Sequence, residues 1–419
     1  MTYEEIVSYI CQKRRFGSLS GREVSEILLK ELGNPEKGMR VIHIAGTNGK
    51  GSCAAFLAYM LKASSVTCGL FTSPHLISFR ERIRVLRPET RGEDPFEGMI
   101  SSEDVQRLGS IVLGAEERSG VPATMFDLCL AMALLYFKEQ KVDTIVLETG
   151  MGGRLDSTRA LTVIPEVSVI TNIGLEHTKY LGDTMEKIAA EKAGILRQGT
   201  KAVFGEMHPD AIAYLRDYCR DSQITFSYTD KERTWIEEAL STDPDFTLGL
   251  YGSYQLQNAA TALCAFKQFA GEVDSAIVKT GLSQARWPGR MQILKDDPFI
   301  MVDGAHNPEG SRALSASLVR AFPGEKFTFI CAVMADKDHI AILGEMSPLA
   351  ERFIFMKAQS DRAQQPEKLA ESAVMLGCKA DCAQTLEEAF KMASQSNEKT
   401  VVFGSLYFVA EVIDYLSSF

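Results

Sequence analysis

The sequence predicts an α/β fold in two parts, a mostly parallel sheet wrapped by helices followed by a smaller open α/β domain. Three observations predict it. Short β-rich apolar runs alternate with longer helical patterns along the 419 residues, the signature of strands joined by crossover helices. One run, 42–52, passes from a strand through a glycine-rich turn into a helix. The segment Arg286-Trp287-Pro288-Gly289-Arg290 then punctuates the chain before a second series of the same kind begins near residue 299.

The first series has expected strands at 41–45, 67–72, 144–148, 167–171 and 201–204, with helical patterns at 50–62, 125–138 and 184–196. The stretch 87–98 is charged, carries Pro and Gly, and reads as an exposed loop. The second series has expected strands at 299–302, 327–332, 352–356 and 400–403, with helices at 309–321, 341–350, 366–376 and 386–394. Pro followed by Gly is strong punctuation, so the boundary falls there and the domains are 1–288 and 289–419.

Composition bounds the class. Hydrophobic residues make up 45% and charged residues 24%, enough apolar side chains for sizeable cores and too many for disorder. The formal net charge of −10 argues against a dedicated nucleic-acid or membrane-surface binder, but not against small anionic substrates met by local groups. With no run of about 18 apolar residues and no basic-then-apolar leader, neither a membrane span nor a secretory signal is expected. Nine cysteines are scattered, and only Cys378 and Cys382 lie close together. They read as reduced core thiols of a cytoplasmic protein.

The run Ile42-His43-Ile44-Ala45-Gly46-Thr47-Asn48-Gly49-Lys50-Gly51-Ser52 carries the most information. Glycines let the backbone curl so that N–H groups point at phosphate oxygens, and the helix start adds its partial positive charge. Lys50 can reach the β- and γ-phosphates, and Ser52 can contact magnesium. The strict pattern G-x-x-x-x-G-K-[ST] is not met, because Ile44 replaces the first glycine and Gly51 precedes the hydroxyl. The first domain is therefore expected to be of the P-loop type, and the second Rossmann-like.

Several runs follow with chemistry of their own. Glu148 ends an apolar strand, where an NTPase holds its metal or where a strand end is merely solvated. Residues 150–157 form a second glycine-rich loop able to approach a ligand closely. His177 lies just past a strand end, in the crevice where open α/β sheets bind ligands. In the helical pattern at 184–196, Met185, Ile188, Ala189, Lys192, Ile195 and Leu196 share one face, with Lys187 and Glu191 opposite. Lys192 is thus a lysine on a buried face, either snorkelling or ion-paired, or neutral enough to take up carbon dioxide as an anionic carbamate ligand. Asn258 is either a helix cap or a nucleobase partner, and Arg286 and Arg290 are either solvated or a phosphate clamp. Asp303, His306 and Asn307 crowd one strand-to-helix turn, and Asp336-Lys337-Asp338 follows the next strand.

With these runs in hand, the chain resembles the folylpolyglutamate synthase and dihydrofolate synthase family, within the Mur-ligase-like group of ATP-dependent amide ligases. The resemblance rests on 43–52, 72–76, 148–157, 174–182, 191–195, 254–262, 288–290 and 303–308, in that order, and covers nearly the whole chain. The departure from the strict phosphate-loop pattern is the family's own form of it. The resemblance implies that Gly46, Thr47, Asn48, Gly49, Lys50, Gly51, Ser52, Asn258, Arg290 and Asp303 bind ATP. It implies that Ser52, Ser73, Glu148, His177 and Lys192 (as carbamate) hold two magnesium ions, with Lys50, Glu148, His177 and Lys192 catalytic. Thr124, Met125, Phe126, Leu155, Asp156 and Ser157 would meet the pterin-bearing substrate, and Asp303 and His306 the incoming L-glutamate. Two departures stand on the folate side: Asp127 where the family usually has Glu, and 87–98 where it has a shorter glycine-containing turn.

The implied reaction is addition of L-glutamate to a folate or dihydropteroate carboxylate through an acyl phosphate, releasing ADP and phosphate. The implied partners are these small molecules, with neither nucleic acid nor membrane, acting on a monomer. The alternatives are a Mur-type ligase of a UDP-muramyl substrate and a non-catalytic nucleotide switch. The phosphate loop begins only about 45 residues in, which leaves little room for a separate UDP-binding domain.

Overall fold

The computed structural model describes residues 1–13, 19–90, 94–395 and 398–417. The chain divides into two compact units, Met1–Gly249 with Leu256–Arg286, and Leu250–Gln255 with Trp287–Phe419. Both are α/β, each a mostly parallel sheet flanked by helices.

The first unit's sheet comprises β1 (Arg40–Ala45), β2 (Cys68–Phe71), β3 (Ile83–Leu86), β4 (Thr144–Glu148), β5 (Val167–Ile170), β6 (Lys201–Phe204) and β7 (Thr225–Tyr228). Its order is β3-β2-β4-β1-β5-β6-β7. Among the described residues every neighbouring pair is parallel except β2 with β3. The central strands β4 and β5 are buried along their whole length, as their unbroken apolar runs require of a sheet covered on both faces. Phe71, Leu147, Ile170 and Phe204 share one face of this sheet, where two clusters form: Phe71 and Leu147 pack with Leu128, Met132 and Phe137, and Ile170 and Phe204 with Ile188 and Leu215.

β4 and β5 leave β1 on opposite sides, so the strand order reverses there. Ile44 pairs with Glu148 and Ala45 with Ile170, which brings the carboxyl ends of all three strands level. That crevice is where an open α/β sheet binds its ligand. The helix Lys50–Ala63 that leaves β1 is buried continuously from Ser52 to Lys62. Lys62 is tolerated there because its ammonium donates to both Glu97 oxygens at 2.8 Å.

The second unit's sheet comprises β8 (Gln292–Asp296), β9 (Phe299–Val302), β10 (Phe327–Cys331), β11 (Ala350–Phe355), β12 (Lys379–Cys382) and β13 (Lys399–Phe403), in the order β12-β11-β10-β13-β9-β8. β8 runs antiparallel to β9 and the other pairs are parallel. Its core is phenylalanine-rich: Phe329 stacks on Phe353 at 5.3 Å and meets Phe403 edge-on at 5.5 Å.

The expected strands are present within about two residues. Three details differ. The helix expected at 184–196 ends at Ala193, and Ile195 and Leu196 reach the core from the turn beyond it. The helix expected at 341–350 is His339–Met346, then a 3₁₀ turn Ser347–Leu349 containing Pro348, because Ala350 already belongs to β11. Of the loop expected to be exposed at 87–98, residues 91–93 lie outside the described residues, and Glu97 is buried by its pairing with Lys62.

Candidate active site

β1 delivers the chain into the phosphate loop, and its neighbours shape that loop. The Thr47 N–H donates to the Asn172 carbonyl at 3.1 Å and the Asn48 N–H to Asn172 Oδ1 at 2.8 Å. Thr171 Oγ1 donates to the Asn48 carbonyl at 2.7 Å, and Thr47 Oγ1 accepts from the Gly174 N–H at 3.0 Å. The residues just after β5 therefore hold the loop after β1. Gly49 caps the helix Lys50–Ala63 with φ of +82°, a conformation that favours glycine. A Cβ at Gly49 would also collide with Asn258 Oδ1, so the Asn258 amide packs directly on the loop. Lys50 folds its ammonium back onto the Gly46 and Thr47 carbonyls, 3.1 Å from each. Ser52 is buried in the first turn of that helix.

Beside this loop, β4 ends at the buried carboxylate of Glu148. Its Oε2 accepts from the Ser73 backbone N–H at 3.0 Å. The turn carrying Ser73 is rigid, because the Glu81 carboxylate accepts from the N–H groups of Leu76 and Ile77 at 2.7 Å and of Ser78 at 2.5 Å. His75 accepts from Arg82 Nε at 2.8 Å. Burial, with Arg82 alongside, pushes the His75 imidazole down to about 4.

The second glycine-rich loop runs over the end of the helix Met185–Ala193. The Arg154 N–H donates to the Glu191 carbonyl at 2.8 Å, and a Cβ at Gly153 would press on the Glu191 and Lys192 carbonyls at 2.9 Å. Asp156 then caps a 3₁₀ turn, Ser157–Ala160. Its Oδ2 accepts from the N–H groups of Gly150 and Met151, both at 3.0 Å, and its Oδ1 from Thr158 Oγ1 at 2.5 Å. Burial raises the Asp156 carboxyl, against these donors, which favour the carboxylate.

Asp127 is fully buried and draws the surrounding turn together. Its Oδ1 accepts from Ser25 Oγ at 2.7 Å and Ser157 Oγ at 2.6 Å, and its Oδ2 from the Thr124 N–H at 2.8 Å and Thr124 Oγ1 at 2.6 Å. Thr124 and Asp127 thus form the capping box of the helix Met125–Glu139. Of the residues expected to meet the pterin, Thr124, Asp156 and Ser157 spend side-chain polar atoms on this scaffold. Leu155 is exposed, while Met125 and Phe126 are half-buried. The Phe126 ring lies 5.4 Å from Phe71 and covers Gly150.

His177 is exposed at the start of a short helix, Thr178–Leu181, with φ of +53°. Lys192 is 3% exposed in the last turn of its helix, whereas Lys187 is exposed and paired with Asp183. Among the described residues, no group of three or more His, Cys, Asp and Glu side chains forms a cluster able to hold a metal. The expected metal ligands include one carboxylate and one imidazole, the rest being hydroxyls and a modified lysine.

In the second unit, Asp303 follows β9 and is buried. Its Oδ2 accepts from Tyr254 Oη at 2.7 Å and the Met291 N–H at 2.9 Å, and its Oδ1 from the Ala305 N–H at 2.8 Å. Burial and the neighbouring carboxylate hold the Tyr254 phenol well above its ordinary value. The Arg290 guanidinium lies against Gly304. His306 Nδ1 is 2.8 Å from the Gly304 carbonyl, so that nitrogen carries the proton. Asn307 and Asp338 are helix caps, Asp336 pairs with Arg362, and Arg286 in the first unit donates to the Ser283 and Ala285 carbonyls.

Sequence reasoning assigned no role to Asn172, Glu81 or Thr158, and placed His43 only within a motif. Asn172, Thr158 and His43 act through a polar contact with a residue distant in sequence, and Glu81 through the backbone of the turn just before it; periodicity signals neither.

Comparison with known proteins gives a consistent picture. Residues 99–266 match the Mur ligase middle domain family, and residues 289–405 the Mur ligase glutamate ligase domain family. The chain is 32% identical to a dihydrofolate synthase/folylpolyglutamate synthase of Bacillus subtilis, over 98% of each chain. It resembles the structure of E. coli FolC in complex with DHPP and ADP, with a TM-score of 0.85 and 26% identity over 100% of this chain and 98% of that one. It also resembles a Yersinia pestis bifunctional folylpolyglutamate synthase/dihydrofolate synthase complexed with AMPPNP and Mn ion, with a TM-score of 0.84 and 25% identity over 100% of this chain and 98% of that one.

Proposed function

The chain belongs to the folylpolyglutamate synthase/dihydrofolate synthase family of ATP-dependent glutamate ligases, and from that premise we propose how its own residues divide the work. It joins L-glutamate to a folate-type carboxylate at the expense of ATP. We read the first unit as the ATP-binding domain and the second as the glutamate-ligase domain.

The acceptor carboxylate attacks the γ-phosphorus, displacing ADP and forming an acyl phosphate. The glutamate amino group then attacks the acyl carbon, and phosphate leaves with the oxygen the carboxylate supplied. In the loop 46–52 the Thr47 and Asn48 N–H groups are spent on Asn172, and the backbone N–H groups of Gly49, Lys50, Gly51 and Ser52 cradle the transferring phosphates, with Asn258 completing the nucleotide site. Lys50 exchanges its two loop carbonyls for phosphate oxygens and neutralises charge as it builds. Arg290 and Asp303 are assigned to ATP, and His306, with Asp303, to glutamate.

Ser52, Ser73, Glu148, His177 and a carbamate on Lys192 are assigned to two magnesium ions, which supply charge neutralisation on the β- and γ-phosphates. Few carboxylates, with hydroxyls and substrate oxygens, suit that hard cation. Lys192 is 3% exposed, and carbamate formation would turn its ammonium into an oxygen donor. The exposed Leu155 and the half-buried Met125 and Phe126 offer the pterin an apolar rim. The nine free thiols fit a reducing compartment, and we read the protein as cytoplasmic.

What supports this assignment most is the hydrogen bond from the Ser73 N–H to Glu148 beside the phosphate loop, level with the ends of β1 and β4. The test is isotopic. With ¹⁸O in the acceptor carboxylate, one labelled oxygen appears in the released phosphate. Unlabelled phosphate during amide formation contradicts the acyl-phosphate route.

A further inference from the structure

His43 lies three residues before the phosphate loop, yet its imidazole points away from that loop's work. It is buried within β1, 1% exposed, and its Nε2 sits 2.8 Å from Thr158 Oγ1. The Thr158 hydroxyl has one proton, and it goes to Asp156 Oδ1 at 2.5 Å. The same carboxylate oxygen accepts from the Thr158 N–H at 3.0 Å. The hydroxyl oxygen is therefore left as an acceptor, and Nε2–H of His43 is the donor. The other Asp156 oxygen holds the N–H groups of Gly150 and Met151. A single file of hydrogen bonds thus runs from the strand before the phosphate loop to the start of the second glycine-rich loop. Burial, with Arg159 and Arg197 nearby, pushes the imidazole down to about 3 and keeps it neutral, as a one-proton donor must be.

We propose that His43 is a positioning residue for the acceptor side of the site: through Thr158 and Asp156 it sets the 150–158 loop that receives the pterin-bearing substrate, and it does not serve ATP. The proposal rests on assigning residues 155–157 to the acceptor. Its chemistry makes a sharp demand. Gln carries an N–H near the position of Nε2, whereas the shorter Asn reaches only as far as Nδ1.

The test combines amide exchange with steady-state kinetics on His43→Leu, His43→Gln, His43→Asn and Thr158→Val. Backbone exchange in 150–158 should quicken in H43L, H43N and T158V and stay slow in H43Q. KM for the pterin acceptor should rise about tenfold in those three variants, equivalent to about 1.4 kcal/mol. KM for ATP should stay within about twofold, and H43Q should recover most of the acceptor affinity. The H43L/T158V double variant should be no worse than either single variant, because both break one file of bonds. Unchanged exchange in T158V, equal behaviour of H43Q and H43N, or a shift in KM for ATP in place of the acceptor overturns the proposal. T158V is close to isosteric and carries the test if H43L does not fold. If exchange quickens while acceptor KM is unmoved, the relay stands and the assignment of 155–157 to the acceptor is what fails.

Discussion

Glu148 Oε2 accepts a 3.0 Å hydrogen bond from the Ser73 backbone N–H, so the tip of β4 is tied to the turn that follows β2. One buried carboxylate oxygen thereby organises the turn, and the charge remains beside the phosphate loop. Glu148→Gln keeps the volume and an acceptor oxygen but removes the charge. Its kcat should fall by about 10²–10³, with higher magnesium required for half-maximal rate. A magnesium titration of ADP release checks both effects, and an unchanged metal requirement counts against Glu148 as a ligand.

Lys50 rests its ammonium on two carbonyls of its own loop, and the proposed function assigns it to the ATP phosphates. Lys50→Met should leave the fold intact and lower kcat/KM for ATP by about 10²-fold or more. Circular dichroism with initial-rate kinetics separates this outcome from unfolding.

Asp127 gathers four donors in a site with no exposure. Removing it strands them all, so Asp127→Ala should cost about 3–5 kcal/mol in urea unfolding. Asp127→Glu adds a methylene where Gly21 and Ser157 already crowd, and should cost about 1–3 kcal/mol. The shorter acid is thus built into this chain's packing, and a neutral D127E would contradict that.

A buried histidine, His43, and a half-buried one, His75, make stability depend on pH. Burial, with Arg159 and Arg197, holds His43 near about 3, and burial with Arg82 holds His75 near about 4, against an ordinary 6.5. Below pH 6.5 the unfolded chain binds protons that the folded chain refuses. Their contribution is therefore full above pH 6.5 and is lost as pH falls, through 4 for His75 and 3 for His43. Urea midpoints from pH 7 to 4.5 should fall, and His43→Gln should flatten the slope by up to about 1.4 kcal/mol per pH unit. A slope unchanged by H43Q contradicts a neutral His43.

The central strands could be read from sequence because a parallel strand buried on both faces is an unbroken apolar run, as Val146 and Leu147 in β4 show. The edges could not. β8 and β12 mix Lys and Asp with apolar residues, since an edge strand is covered on fewer sides, while β3 is buried throughout yet carries Arg84, whose Nε donates to the Glu97 carbonyl at 2.8 Å. The phosphate loop and Glu148 were legible as motifs with a local mechanism. The contacts that hold them, Asn172 to Asn48 and Asn258 to Gly49, join residues 124 and 209 positions apart, and only the folded chain brings them together. Lys192 stood out because a charged residue on an apolar helical face breaks the pattern, and its burial bears out that placement.

The most direct measurement is ADP release with L-glutamate and, side by side, dihydropteroate, tetrahydrofolate and a UDP-muramyl peptide. Turnover should require glutamate together with one or both pterin acids and be absent with the UDP-muramyl peptide. No turnover with either pterin acid, or turnover with the UDP-muramyl peptide alone, would contradict glutamate ligation to a folate-type carboxylate.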